Sequence, residues 1–216
     1  GHLNIVKWLI INKPDLYYKE NGMDYAAMNG HLDIVEWLYN NTKHGCGINA
    51  LTGAAINGYL PIVEFLHAHY DDEGCSAHTM DCVAMNGHLY MLEWLHNNLD
   101  IRPTQEAIDL AAKNGHIHIV KWLHENLNEG CSVHAVDNAA TNGHLDIVIW
   151  LLKNRTEGAT SKALENAAIR GHILVVNYLL ENTNINFSHT TIIKAKINKF
   201  ITISKILEKY QSRIIL

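Results

Sequence analysis

One hydrophobic pattern recurs along the chain about every 28 residues. In its clearest copy, Leu145, Ile147, Val148, Trp150 and Leu151 are apolar while the residues between them are mostly polar, the spacing of a helix with one buried stripe. The same stripe follows Gly1, Gly30, Gly58, Gly87, Gly115, Gly143 and Gly171, at successive spacings of 29, 28, 29, 28, 28 and 28. Trp8, Trp37, Trp94, Trp122 and Trp150, all the tryptophans of the chain, stand seven residues after a glycine, and Phe65 and Tyr178 fill that slot in the other two copies. One more step lands on Lys199, where residues 200–207 form a decayed copy. No segment alternates with period two, so the pattern predicts helices throughout.

A second, shorter helical pattern precedes each glycine. In the copy from Cys131 to Asn154, Ser132 is placed as an N-cap, and Ser76, Thr104, Thr160 and Ser188 share its slot. A helix is predicted over Val133–Thr141, with Ala135, Val136, Ala139 and Ala140 on one stripe. Paired alanines recur at Ala26-Ala27, Ala54-Ala55, Ala111-Ala112 and Ala167-Ala168, small enough for neighbouring helices to approach closely. Asn142-Gly143 ends the helix, since glycine accepts the left-handed conformation of a C-terminal cap. Asn12, Asn41, Asn98, Asn126, Asn154 and Asn182 close the second helices and are read as the next best left-handed caps. A fixed period of this length predicts a solenoid, in which each helix pair covers its neighbour's apolar face.

The recurring string Ala-Ala-x-x-Gly-His-Leu-x-Ile-Val-x-x-Leu resembles the ankyrin repeat, from the end of its first helix through its second. Two departures stand out. The Thr-Pro-Leu-His opening is replaced by sequences such as Ser-Val-His-Ala-Val-Asp, and the unit is about five residues shorter than the usual 33. The shortfall lies where ankyrin repeats build a projecting β-hairpin, and the stretch from Arg155 to Ala159 is too short for one. The expected fold is therefore all-α: a solenoid of stacked helix–turn–helix, ankyrin-like repeats with shortened loops lacking β-hairpins. The array is placed at residues 1–189, its first repeat truncated, and a degenerate C-terminal capping repeat at 190–216. The Trp-rich short form is similar to repeats of amoebal and giant-virus proteins, which often follow an F-box. Nothing in these residues resembles an F-box.

Charge narrows the partner class. The net charge is −5, yet from Thr183 onward six Lys/Arg face one acid, so that end is +5 and residues 1–182 carry −10. A mostly acidic array does not attract phosphate backbones, and no nucleic-acid partner is expected. No apolar run approaches a bilayer span and no signal peptide is present, so no membrane association is expected. The chain starts inside a repeat without Met, as a fragment of a longer protein would. Four cysteines in 216 residues do not suggest a secreted disulfide scaffold, which points to an intracellular site such as the cytoplasm, a host cell's cytoplasm or a virion.

No cofactor, metal or catalytic residue is expected. His2, His31, His88, His116, His144 and His172 form a ladder whose rungs, at helix-packing distances of about 9–10 Å, cannot share one zinc ion. Cys75, His78 and Cys82 have metal-like spacing, but Cys75 shares its slot with Cys46 and Cys131, where no second pair follows. A nucleophilic triad would need unique residues converging in a pocket, whereas each Ser, His and Asp here has siblings in the same register.

What remains is surface. With each glycine as position zero, slots −9, −6 and −2 of the first helix share a face, and slots −8, −7, −4 and −3 are the buried ones. Slot −6 holds Asp24, Thr52, Asp81, Asp109, Asp137 and Glu165; slot −2 holds Met28, Ile56, Met85, Lys113, Thr141 and Ile169. The resemblance implies that first helices line the groove where partners dock. These twelve residues are therefore the candidate partner-binding set, with a basic protein segment as partner. The competing readings are that the acids bond a neighbouring repeat's loop and that the apolar −2 residues are partly buried between helices. The expected function is a non-catalytic protein–protein interaction scaffold. A structural or self-assembling repeat, or the substrate-binding part of an F-box-type ubiquitin-ligase adaptor, is the alternative.

Overall fold

The computed structural model describes residues 1–13, 21–43, 45–70, 74–127 and 130–214. Fifteen α-helices and no strand occur among them. The chain divides into two compact units, Gly1–Thr104 and Gln105–Leu216. The first contains α1 (Leu3–Asn12), α2 (Gly22–Met28), α3 (Leu32–Asn41), α4 (Ile48–Ile56), α5 (Leu60–His69), α6 (Ala77–Met85) and α7 (Leu89–Asn98). The second contains α8 (Glu106–Asn114), α9 (Ile117–Asn126), α10 (His134–Asn142), α11 (Leu145–Asn154), α12 (Ser161–Arg170), α13 (Ile173–Asn182), α14 (His189–Ile197) and α15 (Ile201–Ile214).

Within each unit the even-numbered helices form one row and the odd-numbered helices another. In the second unit α8, α10, α12 and α14 are successive neighbours, as are α9, α11, α13 and α15. The even helices can lie this close because their facing slots hold small residues. Ala135, Ala139 and Ala140 have no exposed surface, and Val136 has almost none. The odd helices contribute Ile147, Val148 and Leu151, also fully buried, with counterparts in every interior repeat. This is the helical-repeat architecture that the period predicts.

The periodic glycine has two physical causes, both visible at Gly143. Its φ of 82° lies in the left-handed region, which lets the backbone turn out of α10. A Cβ there would also stand 2.5 Å from Nδ1 of His172, in the next repeat. The histidine ladder is thus a row of rings seated on bare glycines. His172 then donates from Nε2 to the Thr141 carbonyl at 3.1 Å, and His144 to the Lys113 carbonyl at 3.2 Å. Across other repeat junctions an asparagine amide serves, with Asn57, Asn86 and Asn198 donating to the carbonyls of Met28, Ile56 and Ile169.

Two expectations need correction. The asparagines that close the odd helices are not left-handed: Lys199 is the one non-glycine with positive φ among the described residues. Asn154 remains helical and donates its amide to the Trp150 carbonyl, four residues back, at 2.8 Å, and the chain leaves the helix through extended Arg155. A short amide reaches back to a carbonyl of its own helix without any backbone strain. The tryptophans, secondly, are not core residues. Trp37, Trp94, Trp122 and Trp150 are half-buried and Trp8 is 56% exposed. They wedge between successive odd helices while Ile, Val and Leu fill the interior.

The final repeat keeps the geometry with altered chemistry. Lys199 takes the glycine's left-handed turn at φ 66°, and the Phe200 ring sits against Gly171 where a histidine sits elsewhere. Lys194 and Lys196 are exposed on α14, and so are Ile193 and Ile197. Of the segment 190–216, the last two residues lie outside the described ones.

Candidate interaction face

The slot −6 carboxylates are inter-repeat clasps. Asp137, 4% exposed, accepts from the backbone N–H of Thr160 at 2.8 Å and from its hydroxyl at 2.5 Å. The same hydroxyl accepts from the N–H of Lys162, so one threonine caps α12 and fastens it to α10. Asp81 holds Thr104 in this way, both bonds at 2.8 Å, and Asp109 holds the N–H and hydroxyl of Ser132. Asp24 holds the N–H of Gly47 at 2.7 Å, and Glu165 reaches the N–H of Ser188 at 3.1 Å. Each clasp spans 23 residues. The exposed position expected for this column does not hold: Asp24, Asp81, Asp109 and Asp137 are buried, while Thr52 and Glu165 are half-buried. Burial pushes the Asp109 carboxyl above its ordinary range, against the lowering effect of the Ser132 bonds.

The break in this column is informative. Thr52 stands where the other repeats have an acid, and its hydroxyl oxygen is buried with no hydrogen-bond partner. Ser76, the cap it would clasp, donates its N–H instead to the hydroxyl of Thr79 in its own helix, at 3.1 Å. A local capping box replaces the inter-repeat bond.

The surface left open on the even helices is the stripe −9, −5 and −2, three slots related by i, i+4 and i+7. In the second unit it comprises Glu106, Leu110 and Lys113 on α8, His134, Asn138 and Thr141 on α10, and Lys162, Asn166 and Ile169 on α12, all exposed or half-exposed. In the first unit Tyr25 is 61% and Met28 36% exposed, while Ile56 and Met85 are half-buried. Met28 lies over Gly53 of the next repeat, so an apolar −2 residue covers the neighbouring −5 slot. Asn166 likewise donates to the Thr141 hydroxyl at 3.2 Å. Slot −5 is not among the candidate positions named from the sequence. Its signal was present, because Tyr25, Gly53, Cys82, Leu110, Asn138 and Asn166 vary as freely as slot −2 and lie between it and slot −9 on one helix face.

Cys46, Cys75, Cys82 and Cys131 form no disulfide. Among the described residues no three His, Cys, Asp or Glu side chains converge as a metal site, and Cys82 has only His78 at 3.5 Å beside its sulfur. Burial raises the Cys131 thiol to about 11, with Glu157 nearby adding to the effect. Arg155 bonds Glu157 in a close ion pair and reaches back to His124 at 3.1 Å, which ties the end of α11 to α9. That guanidinium holds the Glu157 carboxyl at about 2. No described helix is long and apolar enough to cross a membrane.

Models of ankyrin repeats, in sets of three copies, match residues 1–81, 23–107, 79–162 and 108–191. No curated protein matches the chain. Among solved structures, the crystal structure of the human ASB11 ankyrin repeat domain is similar with a TM-score of 0.58 and 18% sequence identity. The match covers 74% of this chain and 83% of that one, and at this identity it speaks to the fold. The family matches overlap across most of the sequence and carry the assignment: the chain belongs to the ankyrin-repeat family.

Proposed function

We propose that the chain is a non-catalytic scaffold that docks a protein partner on the stripe that slots −9, −5 and −2 of the even-numbered helices form within a compact unit. Ankyrin repeats are generally protein–protein interaction modules. The observation that carries this reading is the contrast along each even helix: buried slots and clasps repeat with little change, while the open slots hold Tyr25 and Met28 on α2, Leu110 and Lys113 on α8, and Asn166 and Ile169 on α12. Selection for stacking alone leaves no reason for that irregularity to gather on one face. The partner-facing residues are then Met28, Ile56, Met85, Lys113, Thr141 and Ile169 with their −5 neighbours. Asp24, Asp81, Asp109, Asp137 and Glu165 hold the stripe in place from behind. With those carboxylates engaged, the case for a basic partner segment loses its support, and a stripe of mixed polar and apolar side chains suits a mixed partner surface. Residues 190–216 serve as the closing repeat, supported by the charged slots of α14.

Site-specific photocrosslinking tests the face. A benzophenone side chain at Leu110, Asn138 or Asn166 should form adducts with a partner protein. The same group at His118, Asp146 or Leu174, exposed on α9, α11 and α13, should form none. Adducts from the second set alone would move the function to the odd-helix row.

A further inference from the structure

Between successive odd helices the repeat carries a ring. The slot nine residues after one glycine meets the slot seven residues after the next, edge to face. Tyr39 meets Phe65 with centroids 5.5 Å apart, His67 meets Trp94 at 5.1 Å and His124 meets Trp150 at 5.1 Å. In the last repeat both slots are aliphatic: Leu180 of α13 and Ile206 of α15, in the tryptophan slot, line the same cleft. That cleft is lined by Asn177, Leu180, Glu181, Ile206, Lys209, Tyr210 and Arg213, with a volume of about 430 Å³. Clefts that hold small ligands or side chains run from roughly 300 to 1,000 Å³.

We propose that this cleft binds a short peptide segment that inserts an aromatic side chain with an acidic residue beside it. The fold itself supplies the template for the ring, since an aromatic side chain packs at the three equivalent junctions just described. Leu180 and Ile206 offer an apolar floor, and Tyr210, at the slot where other repeats carry the helix-ending Asn, extends the wall. The charge at the mouth selects the neighbour. Lys209 and Arg213 are exposed one turn apart on α15, which runs 14 residues instead of the usual 10 and so carries Arg213 to this edge. Glu181 is the one acid in the lining, and the chain from Thr183 onward carries +5. A carboxylate next to the inserted ring meets two cations, and the guanidinium can hold it by two parallel hydrogen bonds. A polyanion is disfavoured by the −10 carried on the rest of the chain. The site is separate from the even-helix stripe and stands or falls without it.

The experiment uses the whole chain and a fluorescein-labelled peptide, Gly-Asp-Trp-Glu-Gly, followed by anisotropy. Saturable micromolar binding is expected, at least about tenfold weaker for Gly-Asp-Ala-Glu-Gly and for Gly-Lys-Trp-Lys-Gly. Ile206→Trp refills the slot from within, so it should weaken binding at least about tenfold while its urea midpoint stays at or above that of the parent. Lys209→Glu with Arg213→Glu leaves the floor intact and should reverse the preference towards the Lys-Trp-Lys peptide, which keeps the test valid if the tryptophan variant misfolds. The proposal is overturned by absence of saturable binding at millimolar peptide, or by equal affinity in the folded Ile206→Trp chain. Competitive displacement of the peptide by adenosine monophosphate would also overturn it in favour of a nucleotide. A dimer in sedimentation velocity that Ile206→Trp dissolves would overturn it in favour of a second copy of the chain.

Discussion

At the scale of single residues, the slot −6 column shows how one side chain serves two repeats. Asp137 is buried, but its two oxygens receive the N–H and hydroxyl of Thr160. Removing it leaves both donors without partners, and an unmet donor is costlier than a lost bond is valuable. Asp137→Ala should therefore cost about 2–3 kcal/mol by urea titration. Thr52 is the converse case, with a buried hydroxyl that bonds nothing. Thr52→Val keeps the shape and removes the orphan, and should raise stability by about 1 kcal/mol in the same measurement. Lys199 completes the set. It holds a left-handed turn that costs an ordinary residue about 1–2 kcal/mol. Lys199→Gly should recover about 1 kcal/mol of this, the loss of chain entropy on folding taking the rest. The sequence showed which residues recur in each slot, but not which way they point. A column of acids reads equally as a docking face or as a row of clasps, because the partner of each lies 23 residues away and only folding brings the two together.

At the scale of elements, the helices were legible because their apolar stripes have the 3.6-residue period and glycines separate them. The depth of each slot was less so. The tryptophan is the most conspicuous letter of the repeat and invites a core assignment, yet it sits at the seam between odd helices. Large rings at a seam cover their neighbours while keeping one edge in water. Leu151→Ala, in a fully buried slot, should cost about 3–4 kcal/mol, and Trp150→Ala about 2 kcal/mol despite removing more atoms. A larger loss for the tryptophan would mean that the seam, not the interior, holds the stack. The loop after α11 carries its own signature in acid. Arg155, by its hydrogen bond, lowers Glu157 from 4.5 to about 2. Its stabilising effect is complete above the unfolded value near 4.5 and fades as pH falls towards about 2. Asp109, raised by burial, acts in the opposite sense and gains in acid. Melting temperatures measured down the acid limb should fall less steeply in Glu157→Gln than in the parent, whereas identical slopes would remove the pair from the acid response.

At the scale of the whole molecule, every clasp points the same way along the chain. The carboxylate always belongs to the earlier repeat and the N–H to the later one. During synthesis, an aspartate at slot −6 therefore leaves the ribosome before the group that will satisfy it has been made. Each repeat waits for 23 more residues before its buried charge is matched. Its own helices can pair earlier, since the second helix of a pair follows immediately on the first. The nascent chain should accordingly harden in steps that trail the growing end by nearly one full period. Chains ending after Gly158 and after Ser161 differ by three residues, but only the longer one contains Thr160. Limited proteolysis of the two should show α10 and α11 protected much more strongly in the longer chain, a jump that gradual accretion of buried surface would not produce.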